Sequence, residues 1–216
     1  MVLLLLTGLA VQAATPPAPT SEATIRSDEL ELQDNGAFTV FMGNVVLRQD
    51  PYLLKADRMV RSKATQIVDV KGRVKGTWNA DTGEKFVAVG DFGRYSPTTE
   101  ITELWGRSKV TRWETAKDTA PVVVTAERFI ADRRAGTVRA VGKVEVVQST
   151  TSRVRCEEAL YVQKEQTIHL SGPGGVFVHW EDARGISDFK GEKGRVILQP
   201  RSARLMEQVK GRVIPL

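Results

Sequence analysis

Between Phe41 and Val60 the chain reads FMGNVVLRQDPYLLKADRMV, two short alternating runs joined by a turn that contains Pro51. Gly43 to Arg48 opens the first run, and Leu54 to Val60 forms the second. An apolar side chain at every second position is the period of a strand with one buried face. Degraded copies of this pair recur along the chain, and no other feature limits the fold as much. The Gly-led half returns at Gly72-Arg73-Val74, Gly106 through Val110, Gly142 through Val146 and Gly174 through Val178. A sixth start, Gly211-Arg212-Val213, is cut off by the end of the sequence. The second half, apolar-x-small-acidic, returns at Gly90-Asp91, Ala126-Glu127, Cys156-Glu157 and Gly191-Glu192. The small residues 56, 90, 126, 156 and 191 lie 34, 36, 30 and 35 apart. Spacing in that range marks a repeat architecture.

Helix signals are nearly absent. Ser202 to Val209 reads either as two helical turns or as a strand, and the other connections are turn chemistry, such as Asp34-Asn35-Gly36, Ser96-Pro97 and Gly172-Pro173-Gly174. Many short strands at steady spacing predict an all-β sandwich, barrel or stacked jelly roll. Alternation assigns the faces. Lys143 and Glu145 share one side of a strand and Val144 and Val146 the other, and unpaired charges are rarely buried, so the valines point inward. The same parity turns Val45, Leu47, Leu54, Ala56, Val124, Ala126, Val154 and Cys156 inward. The recurrent small residue marks either a close approach of two backbones or an interior kept open.

The 216 residues are 41% hydrophobic and 26% charged, as in a globular chain, and the net charge of +5 chooses no partner. A single cysteine, Cys156, excludes an intrachain disulfide and a multi-cysteine metal site. Val2 to Ala14 is an apolar run ending in small residues. It reads as a signal peptide over 1–14, with an uncleaved membrane anchor as the other reading. A Pro-rich spacer over 15–24 follows, and the repeat domain is expected over 25–216.

Ile25-Arg26-Ser27-Asp28, then Phe41-Met42-Gly43-Asn44-Val45, then Leu54-Lys55-Ala56-Asp57-Arg58 resemble, in order and spacing, the LptA/OstA-like family of periplasmic lipopolysaccharide-transport proteins. The resemblance implies an OstA-like β-jellyroll of stacked antiparallel hairpins, V-shaped and open-ended, whose apolar interior carries lipid acyl chains. It implies lipopolysaccharide or a related lipid as cargo, the periplasm as location, and homologous jellyrolls of the inner- and outer-membrane transport complexes as partners. Ile25 and Phe41 join Val45, Leu47, Leu54, Ala56, Val124, Ala126, Val144, Val146 and Val154 as the expected lipid-facing set. Exposed terminal strands invite pairing with another chain, so Gly211, Arg212 and Val213 are the expected docking edge, with head-to-tail self-association as one outcome. Thr111 to Pro121, including Trp113, departs from the repeat and reads as an insertion.

Chemistry of other kinds finds little support. His169 and His179 lack ligand-spaced partners, so neither a metal site nor a Cys–His pair is expected, and no cofactor is implied. Gly172 to Gly175 is not followed by Lys-Ser/Thr, which sets aside a phosphate loop. Asp57, Glu127, Glu157 and Glu192 recur once per repeat, as solvated turn or ladder residues do and catalytic carboxylates do not. The protein is therefore read as no enzyme. Basic residues, among them Arg58, Lys109, Arg112 and Arg128, read either as a solvated outer face or as a rim beside a phosphorylated head group. Scattered tryptophans argue against nucleic-acid binding. A lipid carrier, a lipid-free structural β-repeat scaffold and a carbohydrate-binding jelly roll using Trp78 or Trp113 are the readings that remain.

Overall fold

The computed structural model describes residues 23–50, 52–79, 85–113, 121–149, 152–183, 185–198 and 201–215. The signal-peptide expectation over 1–14 lies outside these residues, as do most of the spacer and residues 114–120. Sixteen strands form one antiparallel sheet. They are β1 (Thr24–Arg26), β2 (Glu29–Gln33), β3 (Phe38–Gln49), β4 (Tyr52–Ser62), β5 (Val68–Asn79), β6 (Lys85–Ser96), β7 (Ile101–Trp113) and β8 (Val122–Asp132). Then come β9 (Thr137–Ser149), β10 (Ser152–Val162), β11 (Thr167–Ser171), β12 (Val176–Asp182), β13 (Gly185–Gly191), β14 (Lys193–Leu198), β15 (Arg201–Met206) and β16 (Lys210–Pro215). From β3 to β10 each strand pairs with the next, a meander in which every connection is a hairpin.

Each Gly-led run had been expected to start at its glycine. Instead, the strands begin several residues earlier and run through it. Gly43, Gly72, Gly106 and Gly142 sit in mid-strand with φ between +73° and +81°, and the next residue of each, Asn44, Arg73, Arg107 or Lys143, is also left-handed. The register shifts at these points, between Met42 and Val45 and between Lys71 and Val74 for example. Such a bulge bends its strand. Bulges on successive strands line up, so the whole sheet folds along one line into two leaves. Leaf A holds Val45–Gln49, Tyr52–Ala56 and their partners; leaf B holds Phe38–Met42, Arg58–Ser62 and theirs.

At both ends of the meander the bend becomes a break. β1 pairs with the leaf A part of β3 and β2 with its leaf B part. At the far end, β12, β13 and β16 continue leaf A, while β11, β14 and β15 continue leaf B. Ser202 to Val209 thus resolves as strand β15 and the break that follows it. Trp113 lies in β7, paired with Lys85, and not in an insertion. No ladder joins the last strand to the first, so the sheet is open.

The leaves face each other across the core. One cluster joins Val124, Val146, Val154 and Val178 of leaf A to Phe129, Tyr161, Ile168 and Leu170 of leaf B. A smaller one joins Val45, Ala56 and Val74 to Met59 and Val70. The fold is all-β, as the strand pattern predicts, and among the sandwich, barrel and jelly roll that the pattern left open it is the open jellyroll implied by the resemblance.

Candidate functional site

The bend line is built from one repeated contact. The carboxylate of Asp28 accepts from Nδ2 of Asn44 at 2.8 Å, that of Asp57 from Nε of Arg73 at 2.7 Å, and that of Asp91 from Nε of Arg107 at 2.9 Å, always sixteen residues on. Lys143 meets Glu127 at 2.8 Å in the same arrangement. A Cβ on Gly72 would lie 2.9 Å from the Asp57 Cβ, and one on Gly142 2.8 Å from that of Glu127, so glycine is needed for space as well as for φ. The recurring acids hold the bend from its outer side. Arg107 keeps the Asp91 carboxyl below the usual carboxylate range.

Inside the bend runs an in-register row on leaf A: Ile25, Leu47, Leu54, Gly76, Ala88, Val110, Val124, Val146, Val154, Val178 and Phe189. Its two halves differ. Val124 through Val178 are buried, with Val146 and Val154 wholly so. Ile25 through Val110 are only half-buried, as are Phe41, Val68 and Leu104 opposite. At the centre of this half the row shrinks to Gly76 and Ala88, and a Cβ added to Gly76 would meet nothing within 4 Å. The result is an accessible apolar trough between Leu47, Leu54 and Val110 on one wall and Phe41, Val68 and Leu104 on the other. Two residues along from Gly76 and Ala88, Trp78 stacks on the fully buried Phe86, with ring centroids 4.9 Å apart.

The expected lipid-facing residues thus all lie on the inner face, in two environments. Ile25, Phe41, Leu47 and Leu54 border the trough, and Val45 and Ala56 form its floor beside the bend. Val124, Ala126, Val144, Val146 and Val154 lie in the packed core. The recurrent small position is explained by close approach: a Cβ on Gly90 would lie 2.8 Å from Leu104 of the opposite leaf. Cys156, at that position, is buried, and burial pushes its thiol up to about 12.

Sequence reasoning missed Gly76 and Ala88, because alternation marks large apolar positions and passes over small ones; it also missed Phe86, and it singled out Trp78 only as a possible carbohydrate contact. Arg112, grouped with solvated cations, is buried in register with Phe86 and Val122. Trp105 is on the outer face, stacked on Phe92. Gly211, Arg212 and Val213 lie in β16, whose one ladder is with β13. There Arg212 donates to Asp188 at 2.8 Å, and Asp188 also meets Nδ1 of His179 at 2.7 Å. Among the described residues no three His, Cys, Asp or Glu side chains come together as a metal site would need.

Fold and trough define an open-ended β-jellyroll with an apolar interior. Residues 24–122 match the family described as LptA/(LptD N-terminal domain) LPS transport protein, so this stretch of the chain is similar to that family. A solved structure of LptH, described as the LptA homologous periplasmic component of the lipopolysaccharide transport device of Pseudomonas aeruginosa, is similar at 14% identity. That similarity covers 71% of this chain and 84% of the other, with a TM-score of 0.29. No curated protein matches the chain.

Proposed function

We propose that the protein is a non-enzymatic carrier or bridge that shelters the acyl chains of lipopolysaccharide, or a related lipid, in this trough during passage through the periplasm. The observation that carries the reading is the half-buried row from Ile25 to Val110 with its hollow at Gly76. An apolar surface of that kind is exposed to no purpose unless something covers it. Each methylene buried there is worth about 0.8 kcal/mol, so a chain of a dozen carbons gains on the order of 10 kcal/mol before costs. Such binding needs no catalytic group. Two leaves joined at a bend part on the side away from it, which would leave a polar head group free to stay in water.

Open ends fit this role. Leu30 and Leu32 on β2 are 60% and 64% exposed, and Val213 on β16 is 63% exposed. Homologous jellyrolls, or a second copy, would pair with these edges and extend the trough. Native mass spectrometry of protein purified from cell envelopes tests the reading. A bound species of lipid mass, displaced by detergent, is the expected result. A lipid-free protein that nevertheless assembles into filaments would overturn it in favour of a structural scaffold.

A further inference from the structure

The cargo reading leaves one surface without a role, the outer face of β4 and β5 at the bend. Lys55 and Lys75 stand directly opposite each other on leaf A, and Arg58 and Lys71 do so on leaf B. Like charges in that relation destabilise a sheet. Among the described residues Lys55, Arg58 and Lys75 have no ion pair or side-chain hydrogen bond, whereas Arg73 between them is tied to Asp57. Lys71 has, among the same residues, only the ring of Phe92, 5.8 Å away. Lys109, also without an acidic partner among the described residues, extends the patch beyond Val89. An open cleft of about 360 Å³ lies among Arg73, Lys75, Asp91 and Arg107, with Val74, Val89 and Gly90 as its apolar part. Half-buried Val46, Leu53 and Val87 share this outer face by alternation with Val45, Leu54 and Ala88.

A lipid lying between the leaves cannot place its head group here. The patch is on the convex side of the bend, across the sheet from the trough. We infer that this face docks on an anionic phospholipid bilayer, its cations drawn to the head-group charge and its aliphatic residues resting at the interface. Charge complementarity selects the partner: cations held opposite each other without acids are relieved by a surface of diffuse negative charge. The inference goes beyond the carrier reading and does not depend on it. Docking would lay the bend against a membrane and leave the parted side of the leaves and both ends free.

Co-sedimentation of the full chain with vesicles tests this. Phosphatidylcholine vesicles report whatever the apolar residues 2–14 contribute, and vesicles with about one third phosphatidylglycerol report the charge-dependent part. The expected result is at least tenfold tighter binding to the anionic vesicles, lost in 0.5 M salt and in the variant K55Q/R58Q/K71Q/K75Q. Arg195 and Arg204, also directly opposite each other but on the far end of leaf B, supply the control. The variant R195Q/R204Q should bind like the parent. Equal binding to both vesicle types would overturn the inference, and so would an equal loss in the control variant, which would show net charge alone at work. Competition by inorganic phosphate at matched ionic strength would also overturn it, pointing to a discrete anion pocket. Circular dichroism of each variant establishes that a loss is not one of fold.

Discussion

Asp57 on β4 accepts a 2.7 Å hydrogen bond from Nε of Arg73 on β5, across the bulge that Gly72 makes possible. The pair sits at the fold line of the sheet, so it ties the bend to chemistry that recurs on neighbouring strands. Gly72 has φ +78° and no room for a Cβ, while Gly76, four residues on, has open space beside it. Gly72→Ala is therefore expected to cost about 1–3 kcal/mol. Gly76→Ala should leave stability within about 1 kcal/mol of the parent or raise it, since alanine suits a strand better. Urea melts of the two variants check this contrast.

The two halves of the interior should respond differently to truncation. Leu170 is buried in the packed half, and Leu170→Ala is expected to destabilise by about 2–5 kcal/mol through loss of contacts and a residual cavity. Leu54 faces the trough and is half-buried, so Leu54→Ala should cost less than about 2 kcal/mol. Lipid retention should show the reverse order, with Leu54→Ala losing more cargo. Chemical denaturation and lipid quantification on the same preparations measure both.

The far end of leaf A carries an acid-sensitive contact. Arg212 first, and then His179, hold the Asp188 carboxyl below the usual carboxylate range. A depressed pKa means that the unfolded chain binds the proton more readily, so stability is present above the ordinary carboxylate value and is lost as pH falls through the folded one. The wild-type melting temperature should therefore fall as pH drops below about 4. Asp188→Asn should remove part of that dependence and little else, because these side chains are partly exposed and the pair is weak.

The strands and their faces were legible in the sequence. Val45, Leu47, Leu54 and Ala56 sit inside because period-2 alternation leaves them no other side. The bend was not legible. Asp57 and Glu127 stood out as repeated acids, but their partners lie sixteen residues on, across a strand pair whose register is set by the bulge itself. Gly72 looked like the start of a strand because turn chemistry and bulge chemistry use the same residue. Which half of the interior is open escaped for a different reason: Leu54 and Val146 obey the same parity, and only packing between leaves distinguishes an open position from a closed one. The run around Trp113 lacks the repeat pattern and so reads as an insertion, yet its backbone continues β7.

β16 is an edge strand whose residues from Lys210 to Ile214 are exposed, so its removal should leave the core intact. Deleting Gly211 to Leu216 is expected to leave the circular dichroism spectrum all-β and to weaken association with a second copy or a homologous jellyroll. Analytical ultracentrifugation and partner pull-down measure the effect. Unchanged sedimentation and pull-down would remove β16 as the docking edge.

The central claim is that lipid occupies the trough between the leaves. Leu54 and Lys55 are adjacent on β4 and face opposite sides of the sheet, Leu54 toward Gly76 in the row and Lys55 toward Lys75. A photo-crosslinking residue placed at each in turn, in cells, tests the claim most directly. An adduct of lipopolysaccharide mass is expected from position 54 and none from position 55. Adducts from both positions alike, or from 55 alone, would contradict it.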